Sequence, residues 1–303
     1  MTFFRWVFRV LQPVSPAAAA WLAERLFFTA RRSRISPDAR AFLATGRRFT
    51  LEVEGRRVVG WRWGSTEAGA PLVYLVHGWG SRGARLAAFV EPLLALGLGV
   101  VTYDALGQGE SARGMTSMPE FARTLQAVVA RQGAPRAIVA HSMGCAGTTL
   151  AMSWGLEVGR LVFLAPAADP PSWVAPFARQ LGLRADVLER VRTRSERRLR
   201  VRWADLNVPA LARGQSRRPD LLIVHDEADE TVRWQDGSAI ASAWPNSQLV
   251  TTQGLGHRGV TSDSRVVRQA VDFLTGDGPT VGLSPRAEHE TLEYEMFHRD
   301  ERW

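Results

Sequence analysis

At 303 residues and 46% hydrophobic, the chain can bury one large core, and α/β chains of this size commonly stay a single domain, so one domain with an insertion is expected. The formal charge of +8 rests on 38 basic residues, all of them arginine; they are spread along the chain and interleaved with acids, unlike the basic and aromatic modules that bind nucleic acid, and no nucleic-acid partner is expected. A single cysteine, Cys145, excludes an intrachain disulfide and any multi-cysteine metal site, and a cytoplasmic location is expected.

The N-terminal run MTFFRWVFRVLQPVSPAAAAWLAERLFF is apolar but broken by Arg5, Arg9, Pro13, Pro16 and Glu24. It lacks the ~20 uninterrupted apolar residues of a spanning helix and the continuous apolar stretch of a signal peptide. Short amphipathic helices covering the domain are therefore predicted within residues 1–47, without stable membrane insertion. A sharper alternative is a peripheral membrane contact through Phe3, Phe4, Trp6 and Phe8 beside the arginines. Next, RFTLEVEG alternates Phe49, Leu51 and Val53 against polar neighbours, and VVGWRW follows the Glu54-Gly55 turn, which is a hairpin signal.

From there the rhythm changes to short apolar runs: PLVYLVHG, GVVTYDALG, RAIVAHS, RLVFLAP, DLLIVHD and SQLVTTQG. Such runs read as strands buried on both faces of a parallel sheet. Helix-length segments separate them, among them RLAAFVEPLLALG, MPEFARTLQAVVARQG and CAGTTLAMSWGLE. The pattern predicts an α/β fold over residues 48–275, a doubly wound, mostly parallel eight-stranded sheet with flanking helices. The interval from Pro170 to Pro219 is too long for a simple crossover; it predicts two or three helices, inserted at about 170–218 as a small helical cap over the sheet's carboxyl edge. Residues 276–303 are polar and bear glycine and proline, as expected of a tail outside the core.

The stretch AHSMG lies between the strand RAIVA and a helical run. A serine on a sharp strand-to-helix turn is the setting of a nucleophile elbow, which requires small residues two before and two after the serine. Ala140 and Gly144 meet that requirement, although alanine replaces the usual glycine in the first position. A hydroxyl also needs a base within reach and a carboxylate to orient that base. Later strand ends supply both: Asp226, Glu227, Asp229 and Glu230 follow one buried strand, and His257 lies on a glycine-flanked loop after the last. Carboxyl ends of strands are where open α/β sheets hold their ligands.

With HGWG (His77 to Gly80), DALGQGES (Asp104 to Ser111), AHSMG (Ala140 to Gly144), HDEADETV (His225 to Val232) and GLGHRG (Gly254 to Gly259) in this order, the chain resembles the α/β-hydrolase superfamily from about Phe49 to Leu274. The resemblance implies a serine hydrolase that cleaves an ester, thioester or related acyl bond of a small-molecule substrate through an acyl-enzyme. It implies Ser142 as nucleophile, His257 as general base and then general acid, Asp229 as orienting acid, and the backbone N–H groups of Trp79 and Met143 as the oxyanion hole. Acyl transfer by the same residues, and a noncatalytic ligand-binding role, are the alternatives.

Some positions depart from the family pattern. Leu106 and Gln108 stand where proline and histidine are usual, in a loop without chemistry of its own. Asp226 occupies a usual glycine position and is a rival acid, while Asp169, past the preceding strand, is another; the spacing to Val232 favours Asp229. No G-x-G-x-x-G or P-loop string follows a strand, and no His and acid cluster has metal-ligand spacing, so neither cofactor nor metal is expected. His77, His141 and His225 read as local hydrogen-bonding residues, with His141 pointing away from Ser142 across the elbow, and Cys145 reads as a small buried apolar residue. Arg184, Arg190, Arg192, Arg194, Arg197, Arg198, Arg200 and Arg202 crowd the cap. They read as a solvated helix face paired in part with Asp186, Glu189 and Glu196, or more sharply as groups overhanging the site to favour anionic acyl substrates.

Overall fold

Serine followed by proline opens two of the first three helices. In the computed structural model, which describes residues 2–32, 34–65, 67 and 69–276, α1 spans Thr2–Val14, α2 Pro16–Phe28 and α3 Pro37–Ala44. Ser15 and Ser36 accept hydrogen bonds from the N–H groups of Ala18 and Ala39, while Pro16 and Pro37 occupy first positions where no N–H is needed. Beyond Gly276, the expected C-terminal tail lies outside the described residues. No helix among the described residues is long and apolar enough to cross a membrane.

The hairpin of β1 (Arg47–Val53) and β2 (Arg56–Trp63) starts the sheet. It continues through β3 (Leu72–Val76), β4 (Gly99–Asp104), β5 (Pro135–His141), β6 (Arg160–Leu164), β7 (Asp220–Asp226) and β8 (Ser247–Thr252). The order in this eight-stranded sheet is β1-β2-β4-β3-β5-β6-β7-β8. β2 runs antiparallel to β1 and β4, and the remaining pairs are parallel.

Alternation along the strands feeds two cores, one on each face. Tyr74, Val76, Ile138 and Phe163 meet α5 (Met118–Gln132), α6 (Met143–Ser153), α9 (Val208–Gly214) and α10 (Trp234–Ala243). Val73, Leu75, Val139 and Val162 meet α3, α4 (Val90–Ala95) and α12 (Ser264–Thr275) on the other face. The stretch RLAAFVEPLLALG, read as one helix, is shared between a 3-10 segment at Gly83–Phe89, kinked where Leu86 leaves helical backbone angles, and the short α4.

Between β6 and β7 run a 3-10 turn at Pro170–Trp173, α7 (Val174–Leu181), α8 (Ala185–Leu199), a second 3-10 turn at Trp203–Leu206, and α9. The N-terminal hairpin of α1 and α2 packs chiefly on this insertion. Phe8, Ala19, Ala20 and Ala23 form a separate core with Leu181, Val187 and Val191. Phe8 is fully buried there, which removes it from any membrane contact: it lies on the face of α1 opposite Phe3 and Trp6. Glu24, buried on α2, binds Arg194 and Arg198 of α8 at 3.1 and 3.0 Å, and Arg198 also reaches Glu120 of α5 at 2.8 Å. These ion pairs join extension, insertion and core.

Candidate active site

Ser142 stands between the end of β5 and the start of α6 with φ 54° and ψ −121°. A non-glycine residue rarely holds positive φ, and such strain persists only where its surroundings impose it. Here the Ser142 N–H donates to the Leu164 carbonyl at 3.0 Å, tying the turn to β6. Gly144 permits the crossing of helix and sheet: a Cβ there would lie 2.6 Å from the carbonyl oxygens of both Val76 and His77. Ala140 needs no such freedom. It has no positive φ, and its methyl group is fully buried in the core with Tyr74 and Val76, so the missing first glycine leaves the elbow geometry intact.

His257 lies in a single helical turn, α11 (Gly256–Gly259). Its Nε2 is 3.1 Å from Ser142 Oγ and its Nδ1 is 2.7 Å from Asp229 Oδ2. The three side chains thus form one hydrogen-bonded chain drawn from the ends of β5, β7 and β8. Asp229 Oδ1 accepts the N–H groups of Thr231 and Val232 at 2.8 and 2.9 Å, and His225 Nε2 approaches Oδ2 at 3.4 Å. Burial alone would raise the Asp229 carboxyl, but hydrogen bonds from His225 and His257, with the Val232 N–H, outweigh it and hold the group well below the ordinary carboxylate range.

The rival acids have other partners. Asp226 Oδ2 accepts the Thr252 hydroxyl at 2.7 Å and the Leu255 N–H at 2.9 Å, while Oδ1 accepts the Ala228 N–H at 3.0 Å. It therefore staples together the two loops that carry Asp229 and His257. Asp169 sits at the start of the insertion, where burial raises its pKa and the Asn207 side chain is its hydrogen-bond partner.

His77 and His225 make local hydrogen bonds, to Gly78, Ala105 and Val232. His141 departs from the expectation of a local hydrogen bond: its Nε2–H donates to the His257 carbonyl at 2.9 Å, and the two rings lie 4.7 Å apart. Burial and the neighbouring His257 push the His141 imidazole well below its usual pKa, so it stays neutral beside His257. No motif marks this contact in the sequence, since it depends on a loop more than a hundred residues away folding back onto the elbow. Cys145 is buried, with its thiol 3.2 Å from the Ala140 carbonyl, and burial raises its pKa well above the usual value.

Trp79 and Met143 line one cavity of about 110 Å³. Met143 is the first residue of α6, where a helix leaves its N–H groups without intrahelical partners. Trp79 follows Gly78, whose position runs so close to the serine that a Cβ there would lie 2.8 Å from Ser142 Cβ. The remaining walls are mostly apolar: Phe27 and Phe28 from α2, Met118, Pro170, Pro171, Trp173, Val174, Leu199, Trp203 and Leu206, with Ser117 as the polar member.

Among the described residues no arginine lines this cavity, although the Arg198 guanidinium lies 4.9 Å from the ring of Phe28 on its wall. Arg184 pairs with Asp186, Arg192 with Glu189 and Glu196, and Arg202 with Asp205, while Arg194 and Arg198 turn toward Glu24. Among the described residues no group of three or more His, Cys, Asp or Glu is placed to hold a metal ion.

A family model described as the alpha/beta hydrolase family matches residues 73–270. Solved structures share the architecture. A putative lipase from Acinetobacter baumannii superposes with TM-score 0.59 at 17% identity, covering 79% of this chain and 94% of its own. An esterase from a Rhodococcus species gives 0.55 at 17%, covering 77% and 99%. The thioesterase domain of the curacin biosynthetic pathway gives 0.55 at 16%, covering 76% and 99%. At such identities the likeness establishes the fold. No curated protein matches the sequence.

Proposed function

The chain belongs to the alpha/beta hydrolase family, and from that premise we propose that it is a serine hydrolase cleaving a carboxylic ester, thioester or related acyl bond through an acyl-enzyme. The observation that carries this reading is the hydrogen-bonded chain from Ser142 through His257 to Asp229. In the proposed cycle Ser142 Oγ attacks the acyl carbon while His257 Nε2 takes its proton. Asp229 holds Nδ1–H and so presents the Nε2 lone pair to the serine. The N–H groups of Met143 and Trp79 receive the negative charge that develops on the acyl oxygen, and His257 then protonates the leaving group. Water, deprotonated by His257, releases the acyl group and restores Ser142. The apolar cavity beside Met143 suits a neutral, apolar acyl or alcohol moiety, because an ionised group there would be desolvated without a charged partner.

Intact-mass spectrometry after treatment with a fluorophosphonate tests the nucleophile without knowledge of the substrate. A stoichiometric adduct is expected on the wild type and none on Ser142→Ala; a folded wild type that stays unlabelled would move the noncatalytic ligand-binding reading ahead.

His141 is proposed as a positioning residue, acting through the backbone of His257. Misplacing a reactive group by about 1 Å can cost about a hundredfold. His141→Ala is therefore expected to lower kcat about 10- to 100-fold with KM little changed, and to slow fluorophosphonate labelling without abolishing it. A glutamine, which keeps a donor for the His257 carbonyl, should recover part of the loss. Equal losses in both variants would reduce His141 to a packing role.

A further inference from the structure

Helix α1 is apolar on two sides and partnered on one. Its inner side carries Phe8, fully buried against the insertion, and Gln12, whose Nε2 donates to the Gly182 carbonyl at 3.0 Å while its Oε1 accepts the Arg184 N–H at 2.7 Å. These contacts fix the helix in the α7–α8 turn. On its outer side Phe3, Trp6, Val10 and Val14 are 69%, 64%, 49% and 79% exposed. At about 100° per residue these four positions fall within an arc of roughly 80°, so they form one continuous stripe along the helix. Exposed Arg5 and Arg9 come next around the circumference. On the neighbouring α2, Trp21 is half exposed and carries the Arg25 guanidinium 5.2 Å above its ring.

Scattered apolar residues on a surface need no explanation, but a contiguous stripe does. Among the described residues the exposed large hydrophobics are Phe3, Trp6, Val10, Val14, Trp21, Leu96 and Trp154; all but the last two sit on this hairpin, which singles it out. We propose that the outer face of α1, with Trp21, is the surface by which this protein lies on an anionic lipid bilayer, Phe3, Trp6, Val10 and Val14 entering the acyl boundary and Arg5, Arg9 and Arg25 meeting the headgroups.

Three physical points select this occupant. Phenylalanine and tryptophan on one face with arginine beside them is the composition of an in-plane interfacial helix. Thirteen residues rise only about 20 Å, too short to span the hydrocarbon core and long enough to lie along it. Two-fold pairing with a second copy would oppose the same arginines, whereas anionic headgroups complement them and the chain's +8 charge. This docking does not depend on the proposed chemistry, although α2 ends in Phe27 and Phe28 at the cavity wall, which joins the bilayer-facing helix to the cavity through one hairpin.

Flotation of the full-length protein with vesicles of phosphatidylcholine, alone or mixed with phosphatidylglycerol, tests the proposal. The wild type is expected to float with the mixed vesicles, less so as salt screens the arginines. The double variant Trp6→Glu, Val10→Glu should partition about tenfold more weakly or worse, and Arg5→Glu, Arg9→Glu should lose the preference for the anionic lipid. Both variants alter exposed side chains, so circular dichroism and Tm should match the wild type and certify the fold. Wild type that floats with neither vesicle, or a folded Trp6→Glu, Val10→Glu variant that floats as well as wild type, overturns the proposal. So does a concentration-dependent dimer in sedimentation that this variant abolishes, since the stripe would then belong to a second copy.

Discussion

Alanine at Ser142, at His257, or at both together is expected to lower kcat on a neutral, apolar ester by nearly the same factor, about 10⁵ to 10⁶. The reason is that the two side chains act as one device. Without His257 the Ser142 hydroxyl keeps its proton at neutral pH and is a weak nucleophile; without Ser142 the imidazole, 3.1 Å away, has no attacking atom to activate. The second substitution therefore removes almost nothing that the first left in place. The N–H groups proposed to bind the oxyanion and the cavity are untouched by either change, so KM should move little and a residual rate above that in water should persist. Steady-state kinetics on the two single variants and the double variant make the check. Losses that multiply would mean that Ser142 and His257 contribute independently, and the proposed mechanism would fail.

Much of this architecture was legible in the sequence because it is written locally. Period-two alternation marks the β1–β2 hairpin, and continuous apolar runs mark the strands buried between two helical layers. The elbow was legible because Ser142 sits where a buried strand meets a helix, with the small residues Ala140 and Gly144 at the crowded positions. What stayed hidden depends on contacts between distant segments. The spacing to Val232 favours Asp229 over Asp226, three residues earlier, but what occupies Asp226 is not visible there: the fold turns it toward Thr252 and Leu255, leaving Asp229 for the imidazole. The same limit explains His141, whose partner is the backbone of a remote loop. It also explains Phe8, which looks interchangeable with Phe3 until the docking of α1 on the insertion buries one and exposes the other. Arg194 and Arg198 of the insertion follow the same rule: they are visible in the sequence, but their direction is set by Glu24 and, for Arg198, by Glu120 on other elements.

Asp229→Asn is expected to lower kcat by about 10⁴ while leaving the fold in place, whereas Asp169→Asn should stay near the wild-type rate. An ionised Asp229 can only accept a hydrogen bond from His257 Nδ1–H, so the Nε2 lone pair is committed to Ser142. An amide can instead donate to Nδ1, which turns the ring into the tautomer with its proton on Nε2, unable to act as base. Asp226→Asn should fall between the two through a different route, because it loosens the loop that carries His257, and it should lower Tm as well as rate. Stability against pH gives a second readout whose sign is fixed by the geometry. Hydrogen bonds in the fold depress the Asp229 carboxyl below its unfolded value of 3.8. Its contribution to stability is therefore complete above that value and is lost as pH falls through the lower folded-state pKa. Asp229→Asn has no such group to protonate, so its Tm should fall less steeply than that of the wild type on acidification below 3.8. Parallel acid limbs, together with full activity of the variant, would transfer the orienting role to Asp226 or Asp169.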